Sequence, residues 1–453
     1  MALGEDDVVV VLEELYQRFD SRHHDLADVF AKHADRIDDY VTSTMSPSRR
    51  QLLGAAFTHE YSLEGVSVCN PSIVAHPNQD GVELGGLRVV LSYRAIGEGH
   101  YSSICFRSGE INSSGKLAID DPQLFPIVAA VGPGQLQRDV FHAKLHDVGL
   151  DGETAASVLD SLGTRFSPAD LEAALTKLLA QSDTRLNVVE TVALLRSVAE
   201  CFYTATFDES TDLSRRVLWP STFSESRGVE DARFVQFDDE GVKRYLASYT
   251  AFDGRDVTQQ LLQTTDFVTF TSSPLAGIGA KNKGLAIFPR RIGGRFMALS
   301  RHDRESNAIA SSNSLLRWPE VSTAQMPQQP WELLQLGNCG SPIELDEGWL
   351  VITHGVGPMR TYGIGALLLD LDDPTKVLAQ LPKPLLLPDI DEQDGYVPNV
   401  VYSCGSLVHD GTLYMPYGIA DREISFVTVD IAELLAAFVP VVSLSECAVE
   451  IVG

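Results

Sequence analysis

Basic residues are scarce in this sequence, in which 35 lysines and arginines stand against 62 aspartates and glutamates. The formal net charge of −27 argues against general nucleic-acid binding, which needs a basic face, and against binding to anionic membranes. High solubility is the simplest interpretation of this acidity. A site for a small anion is still compatible with it, but the surroundings of such a site must be locally basic.

Cysteines are also few, and none forms a recognisable pair. The six cysteines are Cys69, Cys105, Cys201, Cys339, Cys404 and Cys447. Neither a CxxC motif nor zinc-ligand spacing occurs, so buried, reduced thiols and no metal site are expected. No apolar run is as long as a membrane span, and the N-terminal segment is acidic where a signal peptide needs basic residues. These absences predict a cytoplasmic protein.

Two widespread catalytic patterns are missing as well. The glycine-rich stretch 279–284 does not have the GxxxxGK[ST] order of a phosphate-binding P-loop. No serine or cysteine lies in a nucleophile-elbow motif. The sequence therefore does not indicate P-loop nucleotide chemistry or a nucleophilic hydrolase of that type.

One segment does recur, in five copies. Each copy has an apolar run, a Gly or Asp turn, a second run of alternating apolar residues and a polar end. The copies end at Tyr93-Arg94, Tyr249-Thr250, Ser300-Arg301, Thr353-His354 and Tyr417-Gly418. Intervals of about 50 to 65 residues between the later copies are typical of β-propeller blades. We expect a mainly β fold, a five-bladed β-propeller whose blade-start residues meet at one axial pocket.

Two other stretches have the period of amphipathic helices. Val8, Leu12 and Leu15 fall on one face near the N-terminus. Ser167 and Pro168 open a helix within a second block, with a capping hydroxyl and a proline in the first turn. The predicted parts are an N-terminal helical segment at 1–53, the first part of the propeller at 54–121, a helical insertion between the first and second blades at 122–205, and the remainder of the propeller at 206–453.

The sharpest local motif is the segment GVEDAR at 228–233. Its acids Glu230 and Asp231 stand at the start of an apolar strand, with Arg233 close enough to hold one of them ionised. Glycoside cleavage needs a carboxyl group that can protonate a leaving oxygen. A turn with a structural Asp–Arg pair explains the same residues.

Two further groups of polar residues come from separate copies of the segment. Lys283, Arg301 and His354 would form an anion site, most simply for phosphate, if the propeller brings them together. Scattered surface charge is the alternative, and His354 alone fits a structural histidine equally well. The second group consists of side chains suited to binding a sugar, namely Asn70, Arg94, Tyr402 and Asp421. An ordinary turn at Asn70 and core packing of Tyr402 are the structural alternatives.

Together these motifs resemble glycoside hydrolase family 130, which comprises inverting β-mannoside phosphorylases and some β-mannosidases on a five-bladed β-propeller. Six motifs occur in the family's order: NPSI…YRA, GVEDAR, KGLAIFP…SR, GSPIE…GWLVITHGV, LLDLDDPTKV and VPNVVYSCG…YGIAD. The resemblance covers about 54–108 and 206–435 and leaves out both helical segments. It therefore includes nearly all of the predicted β structure.

The resemblance implies a role for each matched residue. Asp231 matches the catalytic acid, which in the family's phosphorylases protonates the glycosidic oxygen by relay through a sugar hydroxyl, while phosphate attacks the anomeric carbon from the opposite face. The implied phosphate-binding residues are Lys283, Arg301, Gln335 and His354. The implied sugar-binding residues are Asn70, Arg94, Glu230, Tyr402 and Asp421. No metal or organic cofactor is implied, and inorganic phosphate is the co-substrate.

This sequence departs from the family pattern at three positions. Gln335 stands where the family usually has lysine, Ala232 replaces a proline, and Ser300 replaces a histidine. Because glutamine lacks the positive charge of that lysine, the sequence supports phosphate binding less strongly. A β-mannoside hydrolase or transglycosylase is therefore the alternative. A hydrolase needs a second carboxylate, for which Glu225, Glu230 and Asp303 are the acids to check.

The function expected from these residues is inverting phosphorolysis of a β-mannoside to α-mannose 1-phosphate. Several cations and no obvious second base favour phosphorolysis over hydrolysis, since phosphate is itself a nucleophile. A non-catalytic carbohydrate-binding propeller is the second alternative. The expected partners are a β-linked oligosaccharide, a mannoside by the resemblance, and inorganic phosphate. The helical segments offer contacts for a homo-oligomer.

Overall fold

The computed structural model describes residues 3–37, 40, 44–180 and 188–441. Cys447 therefore lies outside the described residues. The chain divides into two compact units, one formed by Met1–Ser62 with Gln123–Ile127 and the other by Leu63–Pro122 with Val128–Gly453. All of the predicted site residues belong to the larger unit.

The smaller unit contains the predicted N-terminal helices. They are α1 (Glu5–Phe19), α2 (Leu26–Asp35) and α3 (Pro47–Ala56). Val8 and Leu12 of α1 are buried against Leu52 of α3, because their spacing places them on one helix face. The side chain of Ser46 caps α3 by accepting a hydrogen bond from a backbone N–H of its first turn. Helix α3 continues to Ala56, three residues past the boundary predicted at 53.

The remaining elements are strands with one group of helices between them. Before those helices lie β1 (Ser67–Ala75), β2 (Leu87–Ile96), β3 (Ser102–Ile111), β4 (Leu117–Ile119), β5 (Ile127–Val128), β6 (Ala130–Pro133) and β7 (Leu136–Gln137). The helical block contains α4 (Arg138–Asp147), α5 (Glu153–Leu159), β8 (Arg165–Phe166), α6 (Pro168–Leu179) and α7 (Val188–Glu200).

The strands of the C-terminal half follow in close succession. The first of them are β9 (Tyr203–Thr206), β10 (Arg216–Leu218), β11 (Gly228–Asp239), β12 (Val242–Phe252), β13 (Val257–Thr264), β14 (Thr269–Pro274), β15 (Ala286–Ile287), β16 (Phe296–Ser300), β17 (Asn307–Ser312) and β18 (Glu320–Gln325). The last are β19 (Gln335–Asn338), β20 (Ile343–Leu345), β21 (Gly348–Val356), β22 (Tyr362–Leu369), β23 (Val377–Gln380), β24 (Val401–Tyr402), β25 (Leu407–His409), β26 (Thr412–Ile419), β27 (Glu423–Asp430), α8 (Ile431–Ala436) and β28 (Val439–Pro440).

In the described part of the chain these strands form five sheets of four or more strands. The first is centred on β1, β2 and β3, the second on β11 to β14, the third on β15 to β18, the fourth on β19, β21 and β22, and the fifth on β24, β26 and β27. Each copy of the recurring segment falls on the second strand of its own sheet or ends directly after it, on β2, β12, β16, β21 and β26. The prediction of a mainly β fold is confirmed.

The hairpin turns have the chemistry that the sequence predicts. Asp410 and Gly411 join β25 to β26 with φ of 47° and 73°, as a two-residue hairpin turn requires. Gly293 and Gly294 likewise have φ of 57° and 77° before β16. These turns fix the register of the strands that carry the predicted site residues.

The helical block between the first and second sheets shares its core with the sheets. Phe141 of α4 stacks on Phe202 with ring centroids 5.8 Å apart, and the same buried cluster includes Phe237 of β11 and Trp318 beside β18. Ser167 and Asp170 form the predicted capping interaction at the start of α6. The block is not purely helical, because β6 pairs with β9 at the edge of the second sheet.

Candidate active site

Two strand irregularities place polar side chains at one cavity. Pairing of β1 with β2 shifts register between Cys69 and Ser72, and pairing of β11 with β12 shifts between Glu230 and Arg233. Asn70 and Asp231 lie in these bulges, with φ of 51° and 56° respectively. A β-bulge inserts an extra residue into one strand and re-aims its side chain. The same device thus operates at corresponding positions of the first and second sheets.

The cavity has a volume of about 420 Å³, and most of the residues that line it carry a polar side chain. It is lined by Asn70, Arg94, Asp231, Val257, Asn282, Lys283, Arg301, Arg304, Gln335, His354, Arg360, Tyr362, Val397, Val400, Tyr402 and Asp421. Every site residue predicted from the sequence is in this lining except Glu230. These side chains come from all five sheets and from the loops beside their strands. In the sequence, only the repeat indicated that they would meet.

Asp231 is buried and surrounded by donors and positive charges. Asn70 Nδ2 donates a hydrogen bond to its carboxylate. Burial raises the pKa of Asp231, but the charges of Lys283, Arg233 and Arg94 outweigh burial and hold this pKa below its usual range. Arg233 lowers this pKa through its charge. Its Nη1 donates a hydrogen bond to the main-chain oxygen of Asp231, at 2.9 Å, and not to the carboxylate. The carboxylate is therefore ionised in the unliganded cavity at neutral pH.

Glu230 lies behind the cavity wall and pairs with two of its cations. Its carboxylate accepts from Arg94 Nη2 at 2.7 Å and from Lys283 Nζ at 2.5 Å. Only 8% of the Glu230 side chain and 18% of the Arg94 side chain are exposed, so this ion pair is largely shielded from solvent, whereas Lys283 is 43% exposed. Its contacts are those of a residue that orients Arg94 and Lys283, and a direct contact between Glu230 and the sugar stays a prediction.

His354 is fully buried, and its two ring nitrogens have different surroundings. Nδ1 lies 3.1 Å from the main-chain oxygen of Asn338. Nε2 has no hydrogen-bond partner among the described residues. Burial, together with the charges of Arg301 and Arg233, lowers the pKa of His354 well below its usual value. The ring is therefore neutral at neutral pH, so His354 would serve a phosphate site through a hydrogen bond rather than a charge, and its contact with phosphate stays a prediction.

Two arginines in the cavity lining were missed by the sequence analysis. Arg304 and Arg360 have φ of 71° and 54°, and both follow the end of a recurring segment within a loop. Neither they nor Arg301 forms a salt bridge with a carboxylate in the described part of the chain, whereas Arg94 and Lys283 both pair with Glu230. The proximity of Arg304 to Arg301 in sequence was the one available signal. The cavity thus keeps three cations without an acidic partner.

Asp421 and Arg94 each present an unpartnered polar atom. Asp421 Oδ1 and Arg94 Nε are buried without a hydrogen-bond partner among the residues described. Burial raises the pKa of Asp421 to about 6, although the charge of Arg94 opposes this rise. A hydroxyl group can both donate and accept, so a sugar hydroxyl can satisfy an acceptor and a donor of this kind together.

Tyr402 has a double role in the structure. Its ring belongs to a buried apolar cluster with Val401 and Tyr417, and its edge also lines the cavity. Its hydroxyl oxygen accepts a hydrogen bond from Arg233 Nη2 at 2.6 Å. The structural alternative of core packing and the predicted position in the cavity are therefore both correct for this residue.

The acids to be checked for a second catalytic carboxylate do not line the cavity. Glu225 is fully buried and accepts from the hydroxyl groups of Tyr203 and Tyr249, at 3.1 and 2.5 Å. Asp303 accepts from backbone N–H groups of its own loop. The carboxylates in the lining are Asp231 and Asp421. Among the described residues, Asp421 is therefore the second carboxylate that lines this cavity.

Two other kinds of feature are absent from the described residues. The residues that the structure describes contain no group of three or more His, Cys, Asp or Glu side chains that could hold a metal ion. None of the described helices has the length and apolar character needed to span a bilayer.

Comparisons with known proteins agree with the geometry of the cavity. The family model of glycoside hydrolase family 130, described as beta-1,4-mannooligosaccharide phosphorylase, matches residues 208–439, just over half of the chain. A 1,2-beta-oligomannan phosphorylase of Thermoanaerobacter sp. (strain X514) is 35% identical over 227 residues, which cover 49% of this chain and 75% of the relative. A beta-1,2-mannobiose phosphorylase of Listeria innocua is 33% identical over 227 residues, covering 48% and 62%.

Among solved structures, the beta-1,2-mannobiose phosphorylase of Listeria innocua in complex with beta-1,2-mannobiose has 22% identity and a TM-score of 0.48, and the match covers 84% of this chain and 93% of that one. The family match includes Asp231 and the three cations without an acidic partner, and it leaves out the helical block and all strands of the first sheet except β10. On the extent of the family match, the chain belongs to glycoside hydrolase family 130, a family of enzymes that act on glycosides.

Proposed function

We propose that this protein is an inverting phosphorylase that cleaves a β-mannoside with inorganic phosphate and releases α-mannose 1-phosphate. The observation that carries the proposal is the cavity lining, in which Arg301, Arg304 and Arg360 have no carboxylate partner within the described residues, in a chain of net charge −27. Arginines that form no salt bridge, in such an acidic protein, favour the binding of an anionic ligand. Family membership, and relatives named as mannoside phosphorylases, support the same reaction.

The five sheets are proposed to be the blades of a five-bladed β-propeller. In support, each sheet carries one copy of the recurring segment, and all five contribute side chains to the same cavity. The division into 1–53, 54–121, 122–205 and 206–453 belongs to this proposal, as do a cytoplasmic location and a homo-oligomer formed through the helical segments. Size measurement by light scattering, on the full chain and on a variant lacking residues 1–62, tests the oligomer.

Asp231 is the proposed catalytic acid. In the unliganded cavity the charges of Lys283, Arg233 and Arg94 keep its pKa low. A phosphate dianion bound beside Lys283 and Arg301 offsets positive charge and therefore raises the pKa of Asp231. Phosphate in this account has two functions, since it is the nucleophile and it also favours the protonated acid that the leaving group needs.

The proposed chemical step is a single displacement at the anomeric carbon. A phosphate oxygen bonds to that carbon while the bond from the carbon to the leaving oxygen breaks, and the leaving oxygen receives the proton of Asp231. The proton that hydrogen phosphate brings into the cavity restores the carboxyl group afterwards, so no further base is required. Arg301, Lys283 and Gln335 hold the anion in line, which contributes through orientation and charge stabilisation.

The sugar is proposed to bind on the side of Asn70, Arg94, Tyr402 and Asp421. The unpartnered Asp421 Oδ1 and Arg94 Nε offer one acceptor and one donor to a hydroxyl pair. Glu230 is proposed to position Arg94 and Lys283 and so to link the sugar and phosphate halves of the cavity. The mannosyl preference and the β-1,2 or β-1,4 linkage come to this proposal from the named relatives alone.

A β-mannoside hydrolase is the second candidate, and one observation favours it. Asp421 is a lining carboxylate whose pKa is raised to about 6, and its Oδ1 has no partner in the described chain. A carboxylate with such a pKa can activate a water molecule at neutral pH. An inverting hydrolase would then use Asp231 as acid and Asp421 as base.

Product analysis separates these candidates. The purified protein is incubated with β-1,2- and β-1,4-mannobiose, each with and without inorganic phosphate, and the sugar products are quantified. A phosphorylase forms mannose 1-phosphate only when phosphate is present. A hydrolase releases free mannose at the same rate in both conditions, and a binding protein forms neither product.

A further inference from the structure

We propose that the anion site of this enzyme selects hydrogen phosphate over anions without a proton, because His354 Nε2 accepts a hydrogen bond from the P–OH group. His354 thereby determines specificity, whereas the arginines supply attraction for any dianion. This inference rests on the proposed phosphorylase function and adds the protonation state of the co-substrate. Sulfate, which carries no proton at neutral pH, is the anion that this site is predicted to reject.

The hydrogen bonds of His354 determine which of its ring nitrogens carries the proton. A main-chain oxygen can only accept, so the contact of 3.1 Å with the oxygen of Asn338 requires a proton on His354 Nδ1. In the neutral ring Nε2 is then an acceptor with a free lone pair. The pKa of His354 is lowered by burial and by the charges of Arg301 and Arg233, which keeps Nε2 unprotonated at neutral pH.

A hydrogen-bond donor, Arg301 Nε, lies close to the imidazole of His354. Arg301 Nε is also buried without a partner in the described chain. Gly337, which pairs with His354 across β19 and β21, is the reason that the two side chains converge. A Cβ atom built on Gly337 would stand 2.4 Å from Arg301 Nε and 2.5 Å from His354 Cε1. Only glycine permits this approach, and it leaves an unpartnered donor beside an unpartnered acceptor.

Hydrogen phosphate has hydrogen-bonding groups that match both the donor Arg301 Nε and the acceptor His354 Nε2. Hydrogen phosphate presents both a P–OH donor and negatively charged oxygens, so one ion can satisfy His354 Nε2 and Arg301 Nε together. Sulfate and monofluorophosphate are dianions of similar size without a proton at neutral pH. Either would bring a lone pair against the lone pair of Nε2 and leave that buried acceptor unpaired.

No neighbouring group removes this acceptor. Tyr362 and Tyr402 enclose the imidazole, with ring centroids 5.9 and 4.8 Å away, and neither hydroxyl is hydrogen-bonded to Nε2 in the described part of the chain. Cys339 Sγ lies 3.9 Å from Nδ1 and not from Nε2. The titratable and charged groups around the ring are therefore Arg301, Arg233, Cys339 and the two tyrosines, and none donates to Nε2.

Binding of the anions alone tests the proposal. Calorimetric titrations of the full chain at pH 7 with phosphate, sulfate and monofluorophosphate give three dissociation constants. Phosphate is expected to bind about 10- to 100-fold more tightly than either of the other anions, the range of one buried unpaired acceptor. Equal binding of the three anions by the wild-type protein overturns the proposal, whatever the variants do.

Two substitutions assign the selectivity to His354. In His354→Gln the side-chain amide can turn its NH₂ group toward an oxygen, so sulfate is expected to bind nearly as well as phosphate. Arg301→Lys is the matched control, because it weakens both anions by a similar factor and keeps their ratio. The assignment is contradicted if His354→Gln still prefers phosphate over sulfate, or if Arg301→Lys loses that preference.

The outcome also distinguishes this inference from the proposed function. A protein that forms mannose 1-phosphate but binds sulfate as tightly as phosphate keeps the function and loses the inference. A protein that binds none of the anions, and releases free mannose without phosphate, loses the proposed function first.

Discussion

Asn70 donates a hydrogen bond to the carboxylate of Asp231 across 161 residues of sequence. Each of these residues lies in a β-bulge of its own sheet and has a positive φ. The bulges turn the side chains of these two residues toward one another. In regularly paired strands the same side chains would project from the faces of their sheets. The carboxyl group proposed as the acid is thus positioned by a residue from a different repeat.

Asp231→Asn is expected to reduce kcat by about 10²- to 10⁴-fold, because the amide cannot protonate the leaving oxygen. Circular dichroism should show an unchanged fold. Asp410→Asn is the matched control, since Asp410 also has a positive φ but lies in an exposed hairpin turn, and it should keep full activity. A fully active Asp231→Asn enzyme would rule out this residue as the acid.

Gln335→Lys is expected to lower the KM for phosphate by about three- to tenfold, because it returns a charged donor to the cavity wall. The KM for the sugar should change little. Gln328→Lys adds the same charge at an exposed position outside the lining and should leave both constants unchanged. If the two variants behave alike, Gln335 does not contact the phosphate.

Glu230→Gln is expected to lower the free energy of unfolding at pH 7 by about 1–3 kcal/mol, measured by urea denaturation. The reason is that Arg94, which is 18% exposed, and Lys283 both lose a charged acceptor at 2.7 and 2.5 Å. Lys283 is 43% exposed, so solvent compensates part of its loss. Asp421→Asn, which removes a carboxylate whose Oδ1 is buried without a hydrogen-bond partner in the described chain, should not reduce stability. A loss in Asp421→Asn equal to that in Glu230→Gln would contradict these assignments.

The stability of the protein should carry a signature of Asp421 between pH 4 and pH 6. Its pKa rises from 3.8 to about 6 on folding, so the folded state binds more protons and stability falls as pH increases through this window. Asp421→Asn should therefore gain stability relative to wild type between pH 4 and pH 6, by at most about 3 kcal/mol, and the difference should then stay constant. Urea denaturation at pH 4, 5, 6 and 7 measures it, and a difference independent of pH would mean that this carboxyl is not buried.

The predictable part of the fold came from the repeat. The alternating segments predicted the second strand of all five sheets, because strand period and turn residues are local properties of the sequence. The last two strands of the second sheet, β9 and the edge strand β6, by contrast, pair with each other across the helical block. Pairing between such distant short strands depends on tertiary contacts and leaves no local pattern.

The sequence predicted most of the residues that line the site, but it did not predict their ion pairs or charge states. Residues such as Arg94, Arg301 and Tyr402 were found because they match motifs. The contacts of Glu230 join residues 136 and 53 positions away, and only the folded chain reveals that they neutralise two cations. The neutral state of His354 likewise follows from burial beside two arginines, which spacing does not report. Arg304 and Arg360 lie in loops whose conformation the sequence did not predict.

The most direct test of the central claim follows the oxygen atoms of phosphate. The enzyme is supplied with the mannobiose that it cleaves and with phosphate labelled by ¹⁸O at every oxygen, and the products are weighed by mass spectrometry. If phosphate is the nucleophile, mannose 1-phosphate keeps all of the label, including the oxygen that bridges carbon and phosphorus. Free mannose with no label, formed at the same rate without phosphate, would show that water is the nucleophile and would contradict the proposed phosphorolysis.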